Sequence, residues 1–295
     1  MLAETKSRFH AVRVRLENHV SASPAQARLW EFALFVFKQG WACLFGAILL
    51  GLELLTKWKW PAHAPLARYD FLFLAALGVQ VLLLILRMET VREAKVILVF
   101  HVVGTIMELF KTSVGSWTYP EHNFFRIGHV PLFSGFMYAS VGSFLARSTR
   151  ILEVRYTGYP PKWVTVVLAI LIYANFFTHH FLPDMRTGLF VLVAIAFGRT
   201  WVYYKPYQKV RRMPMLVGFG LVALFIWIAE NVGTFAGIWV YPHQSEHWHV
   251  VRPGKYGAWL LLMIISFILV TLVHPPRVPE GEGTGETEIV PVVGG

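Results

Sequence analysis

Two stretches of this chain read as one loop written twice: GSWTYPEHNFFRIGHVP, residues 115–131, and GIWVYPHQSEHWHVVRP, residues 237–253. Each opens on Gly, carries Trp, Tyr and Pro at the same spacing, and ends on Pro. Sliding the sequence by 122 positions without a gap lays Glu108 on Glu230, Gly115 on Gly237, Trp117 on Trp239, Tyr119 on Tyr241 and Pro120 on Pro242. Ile106, Thr112, Pro131 and Gly135 also meet their own kind at Ile228, Thr234, Pro253 and Gly257. Average residue usage would give roughly two identities over that window, so nine predict a tandem duplication.

The composition says what kind of unit is duplicated. Of 295 residues, 56% are hydrophobic and only 15% are charged, where a soluble domain carries about a quarter charged. Mean hydropathy is +0.52. Apolar runs approach the ~20 residues that a helix needs to cross a bilayer. These features predict an all-α integral membrane protein with about eight transmembrane helices in two parallel four-helix repeats. The expected spans are 30–55, 69–86, 94–114, 130–146, 162–182, 186–204, 214–232 and 256–273. Under the shift, span one falls on five, two on six, three on seven and four on eight. Four is even, so both copies insert the same way, related by a pseudo-two-fold along the membrane normal.

Domain limits follow: a basic N-terminal segment at 1–29, repeats at 30–146 and 147–274, and a disordered Pro/Gly/Glu-rich tail at 275–295. Residues 1–29 are too polar for a signal peptide. They read either as a membrane-surface helix or as a solvated tail. The net charge of +10 reflects basic loops retained on one side of the membrane rather than nucleic-acid binding. The Lys/Arg bias puts both termini in the cytoplasm and both W-x-Y-P loops outside. The sole cysteine, Cys43, excludes an intrachain disulfide and reads as a small packing residue.

The candidate chemistry gathers at the outer ends of spans three and seven. Glu108 and Glu230 are ionisable groups inside apolar runs, a functional signal by default. At matching repeat positions they are expected to face a shared cavity on the axis and to serve as acid and base. A structural role is open beside this: Glu108 pairing with Lys111 one turn on, and Glu230 bonding Asn231. Trp117, Tyr119, Trp239 and Tyr241 read either as a membrane-interface belt or as a wall that stabilises positive charge on a ligand. Lys111, Asn231 and His129 join them as candidate ligand-side residues. His179, His180, His243 and His247 are candidate metal ligands, since neutral imidazole is a common one. The string HQSEH, 243–247, matches an inverted zinc-protease motif in letters, but that motif needs a helix. Arg199, inside span six, is expected to find a carboxylate or to snorkel to the cytoplasmic face. No P-loop, nucleophile elbow or dinucleotide fingerprint is present.

Glu108, Gly115, Trp117 and Tyr119, followed by IGHVPLFSGF, resemble the carboxylate-then-G-x-W-x-Y signature of transmembrane lycopene cyclases and carotenoid hydratases. That resemblance covers about 30 residues per half and implies cofactor-free protonation of a polyene. Phe133 and Ser134 stand where the cyclases carry acidic residues, which leaves Glu108 and Glu230 to substitute. Across nearly its whole length, through GTIMELFKTSVGSWTYPE, GHVPLFSGFMYASVGSF and IAENVGTFAGIWVYP, the chain resembles the YoaT-like bacterial family of multi-pass membrane proteins. That family has no established activity, and the likeness implies a bacterial inner membrane protein.

Together these readings predict an acid–base enzyme acting on an apolar, isoprenoid-like lipid held in the bilayer, without cofactor. The alternatives are a proton-coupled carrier or channel, and an outward-facing histidine site holding a divalent metal.

Overall fold

The computed structural model describes residues 24–61 and 63–279. Helix occurs in every one of the eight predicted segments. Helix α1 (Pro24–Ala42) and α2 (Leu44–Lys59) replace the first predicted span; α3 is Arg68–Ile85, α4 Val91–Ser113 and α5 Phe133–Ile151. The second half supplies α6 (Lys162–Thr178), α7 (Arg186–Phe197), α8 (Met215–Phe235) and α9 (Gly254–Val273). Four helices, α3, α4, α8 and α9, are long and apolar enough to cross a membrane, and the α1–α2 pair makes a fifth if counted as one broken span. The rest fall short for visible reasons. α6 and α7 have 17 and 12 residues, and α5 carries Arg147 and Arg150.

The candidate spans wear an apolar exterior. Leu98, Val102 and Ile106 run along one face of α4, and Val217, Leu221, Phe225 and Ile228 along one face of α8, all exposed. Apolar stripes of this extent mark contact with lipid or protein rather than water. The opposite face of α4 buries Phe100, Gly104, Glu108 and Lys111, a spacing of three or four residues that keeps them on one side. The helix starts where Thr90 and Glu93 form a reciprocal capping box.

Four predictions need correction. The first span is broken, bending by 67° between α1 and α2. The guanidinium of Arg147 reaches the bend and donates to the Trp41 carbonyl at 3.2 Å; a side chain that takes a carbonyl out of the helical ladder is a recognised cause of kinks. Cys43 lies at that bend and is exposed, not packed. The sixth span stops at Phe197, because Trp201–Tyr204, rich in aromatic and β-branched residues, forms strand β4. This strand pairs antiparallel with β3 (Arg155–Thr157) and β5 (Arg211–Pro214). Arg199 is then exposed in a turn rather than inside a span.

The three-stranded sheet closes one end of the bundle, where Arg211 pairs with Glu31 and the Tyr156 amide donates to the Arg277 carbonyl. The loops after α2, α4, α6 and α8 lie at the other end, with a small hairpin, β1 (Arg126–Ile127) and β2 (Val130–Pro131), inside the α4–α5 connection. Of the expected terminal segments, 1–23 and 280–295 lie outside the described residues.

Candidate functional site

The two W-x-Y-P loops meet. Thr118 donates to the Val240 carbonyl at 3.0 Å, and Val240 returns the bond to Thr118 at 2.9 Å. These two residues are one another's equivalents under the 122-position shift. The approach to this bridge is also the same on both sides. Gly115 and Gly237 both adopt φ +70°, the left-handed conformation that ends a helix and that glycine reaches without strain. The Ser116 amide then bonds the Lys111 carbonyl at 2.9 Å, and the Ile238 amide bonds the Gly233 carbonyl at 3.1 Å.

Each loop sends its tyrosine back to the glutamate of the helix it leaves. Glu108 is 2% exposed. Its Oε2 accepts from Trp117 Nε1 at 2.8 Å and from the Tyr119 hydroxyl at 2.9 Å. Its Oε1 accepts from the Tyr138 hydroxyl at 2.7 Å. Tyr138 comes from α5, and Gly104 lets it in: a Cβ at Gly104 would stand 2.7 Å from the Tyr138 ring. Glu230, also 2% exposed, accepts from the Tyr241 hydroxyl and from Trp259 Nε1. The two glutamates therefore agree on the tyrosine and differ on the indole, which α9 supplies to Glu230. Trp239 packs instead over Gly233, 2.5 Å from where a Cβ would be. Burial, and then the charge of Glu108 or Glu230, pushes the Tyr119 and Tyr241 hydroxyls well above the usual phenol range, so both remain protonated donors.

An open chamber was expected on the axis. The space between the loops is filled by rings: Trp117 and Tyr241 meet edge to face, centroids 6.0 Å apart, in a cluster with Tyr69, Phe133, Ile238 and Trp239. The Lys255 ammonium lies over Tyr241 at 4.4 Å and over Trp117 at 5.5 Å. A cavity of about 120 Å³ opens elsewhere, beside the sheet, lined by Phe35, Tyr156, Met215, Phe219 and Phe267 among others. Arg68 ties the two loops together, donating to Glu121 at 2.7 Å and to the Ala236 carbonyl at 3.0 Å. Asp70 holds the first loop through the Phe124 and Phe125 amides, both at 2.8 Å.

The remaining candidates disperse. Lys111 does not turn to Glu108; its Nζ contacts His180 Nε2 at 2.8 Å and His179 Nε2 at 3.4 Å. Asn231 does not bond Glu230. It donates to the Trp227 carbonyl and accepts from the Val251 amide, both at 2.8 Å, so it staples the second loop to α8. His129 is exposed on the β1–β2 hairpin turn. His243 stacks on Tyr241, while His247 is exposed. Pro242–Gln244 is a single 3-10 turn, not the helix that the H-x-x-E-H arrangement requires. Among the described residues, no group of three or more His, Cys, Asp or Glu is placed to hold a metal ion.

Sequence reasoning missed Tyr138, Trp259 and Lys255. The first two sit near the shared Gly135/Gly257 position, but Tyr138 aligns with Leu260 and Trp259 with Met137, so identity matching passes over them. The available signal was a ring with a polar tip inside an apolar run, which needs a partner when buried.

A family profile described as "Protein of unknown function (DUF817)" matches residues 31–267. The chain is also similar to "Uncharacterized protein YoaT" of Bacillus subtilis (strain 168), 44% identical over 236 residues that span 80% of this chain and 89% of that protein. No solved structure matches. The chain thus belongs to DUF817, a family of unknown function.

Proposed function

We propose that this is a polytopic bacterial inner-membrane protein built from two parallel four-helix repeats, with both termini cytoplasmic, whose outer end performs acid–base chemistry on an apolar, isoprenoid-like lipid. The observation that carries the reading is the Thr118–Val240 bridge. A residue exchanging both backbone bonds with its equivalent under the 122-position shift supports a local two-fold axis beside the bridge, about which Glu108 and Glu230 would stand on either side of one point. Each carboxyl is held by neutral donors, which fix its direction.

In the proposed step, one glutamic acid donates its proton to a carbon–carbon double bond, leaving a carboxylate and a carbocation. The other, as carboxylate, removes a proton from a neighbouring carbon, so the double bond is re-formed elsewhere and no cofactor is consumed. Trp117 and Tyr241 would stabilise the cation, and the Lys255 ammonium over their faces supports this role. An occupant of the site would displace that ammonium.

The test compares lipid extracts of membranes containing the wild type, Glu108→Gln or Glu230→Gln by mass spectrometry. A converted lipid is expected with the wild type alone. Full conversion by both folded variants overturns the mechanism. A proton-coupled carrier is the second reading, favoured by the buried Glu89–Arg147 pair at the far end of the bundle, since carriers use ionisable groups along their path. Proton flux into vesicles without a lipid product would select it.

A further inference from the structure

We propose that Lys111 is an imine-forming lysine that takes an apolar aldehyde at the outer end of α4. The proposal goes beyond the glutamate chemistry and does not depend on it.

Lys111 is 4% exposed, and its amine touches no carboxylate among the described residues. The charged groups that act on it are Lys255 and Arg186, of its own sign, and Asp184. Asp184 is already engaged: it accepts from Arg186 and from Asn175 Nδ2. A lysine attacks a carbonyl through its neutral amine, and two imidazole nitrogens stand beside Lys111 to take the proton that it must lose.

The two histidines are set up as acceptors. His179 Nδ1 meets the Asn175 carbonyl at 2.9 Å, so it carries the proton there and turns the bare Nε2 to Lys111. His180 Nε2 is the nearer of the two contacts, 2.8 Å from the amine. The rings stack with centroids 4.2 Å apart. His180 is exposed, so protons can be exchanged with solvent through it.

The surroundings select an apolar partner. The Lys111 amine lies 4.1 Å from the centre of the Phe176 ring. Phe110, one residue away, packs on Phe177 at 4.8 Å and reaches Phe181 at 6.5 Å. Phe181 is 74% exposed and extends this aromatic strip to the surface.

The step balances without an oxidant. Nζ attacks the aldehyde carbon and a C–N bond forms. His180 accepts one proton from nitrogen and gives it to the oxygen, which completes the carbinolamine. The second nitrogen proton passes the same way to the hydroxyl, which leaves as water as the C=N bond forms. Aldehyde and amine give imine and water.

The experiment treats the whole protein in lipid nanodiscs with n-decanal and cyanoborohydride near neutral pH, then maps alkylated lysines by peptide mass spectrometry. Lys111 is expected to react at least about tenfold faster than the exposed Lys59 and Lys162, as an activated amine should. Lys111→Arg should remove that fast phase, and Glu108→Gln should leave it intact even if lipid conversion is lost. Glyoxylate, a polar aldehyde, should show no preference for Lys111. Reaction at Lys111 no faster than at Lys162 overturns the proposal. Equal preference with glyoxylate overturns the apolar class.

Discussion

Replacing Glu108 measures how tightly the loop is tied to its helix. Three donors converge on its two oxygens, and the Trp117 indole can only donate. In Glu108→Gln the amide oxygen can keep Trp117 and Tyr119, while its NH₂ meets Tyr138, whose hydroxyl must turn to accept. A hydrogen bond to a charged acceptor contributes about 1 kcal/mol more than one to a neutral acceptor. Three such bonds make the expected cost of Gln about 3 kcal/mol. Glu108→Leu leaves three buried donors without any acceptor, at about 1–3 kcal/mol each, so it should cost from about 3 to about 9 kcal/mol. The assay is equilibrium unfolding in mixed micelles, followed by indole fluorescence and circular dichroism. Tyr138→Phe should cost about 2 kcal/mol in the wild type and much less in the Leu background, because the shared bond is already gone. If Gln and Leu both lie within about 0.5 kcal/mol of wild type, the carboxyl does not hold the loop and the account of the site fails.

Three further outcomes can be checked. Gly115→Ala and Gly237→Ala add a methyl to open space at the same φ, so each should cost about 1–2 kcal/mol; clearly unequal losses on thermal unfolding would argue against equivalent loops. Arg147→Met leaves the buried Glu89 carboxylate unpaired and should cost about 3–5 kcal/mol, with the Glu89→Gln/Arg147→Met double variant recovering part of it; a double no better than the single contradicts this. His180 and His243 both titrate below their ordinary range, chiefly through burial. The unfolded chain therefore binds more protons than the native one just below about pH 6.5. Stability should hold above that pH and fall as pH drops through the folded values, and His180→Gln should flatten the slope of melting temperature against pH.

Much of the site was legible because its bonds are local. Trp117 and Tyr119 lie 9 and 11 residues from Glu108, and Tyr241 lies 11 from Glu230, so each W-x-Y-P loop and the helix end before it already contain donor and acceptor. The expected Glu108–Lys111 pair failed for the opposite reason. Residues three apart on a helix can meet, but Lys111 was offered a histidine pair from the turn that follows α6, 68 and 69 residues away, and Trp117 and the tyrosines had already taken Glu108.

By itself the sequence determined where the helices lie, since hydropathy is summed along the chain, and that two loops share one conformation, since Gly115 and Gly237 specify the same left-handed turn. Tertiary structure alone decided which side chains complete the carboxylate cages. Tyr138 and Trp259 arrive from 30 and 29 residues away, on helices whose rotation depends on where a glycine lets a neighbour come close. It also decided the break at Cys43 and the strand at Trp201–Tyr204. A distant guanidinium and two partner strands took up backbone groups there that a helix would have kept to itself, and nothing local to either segment records those partners.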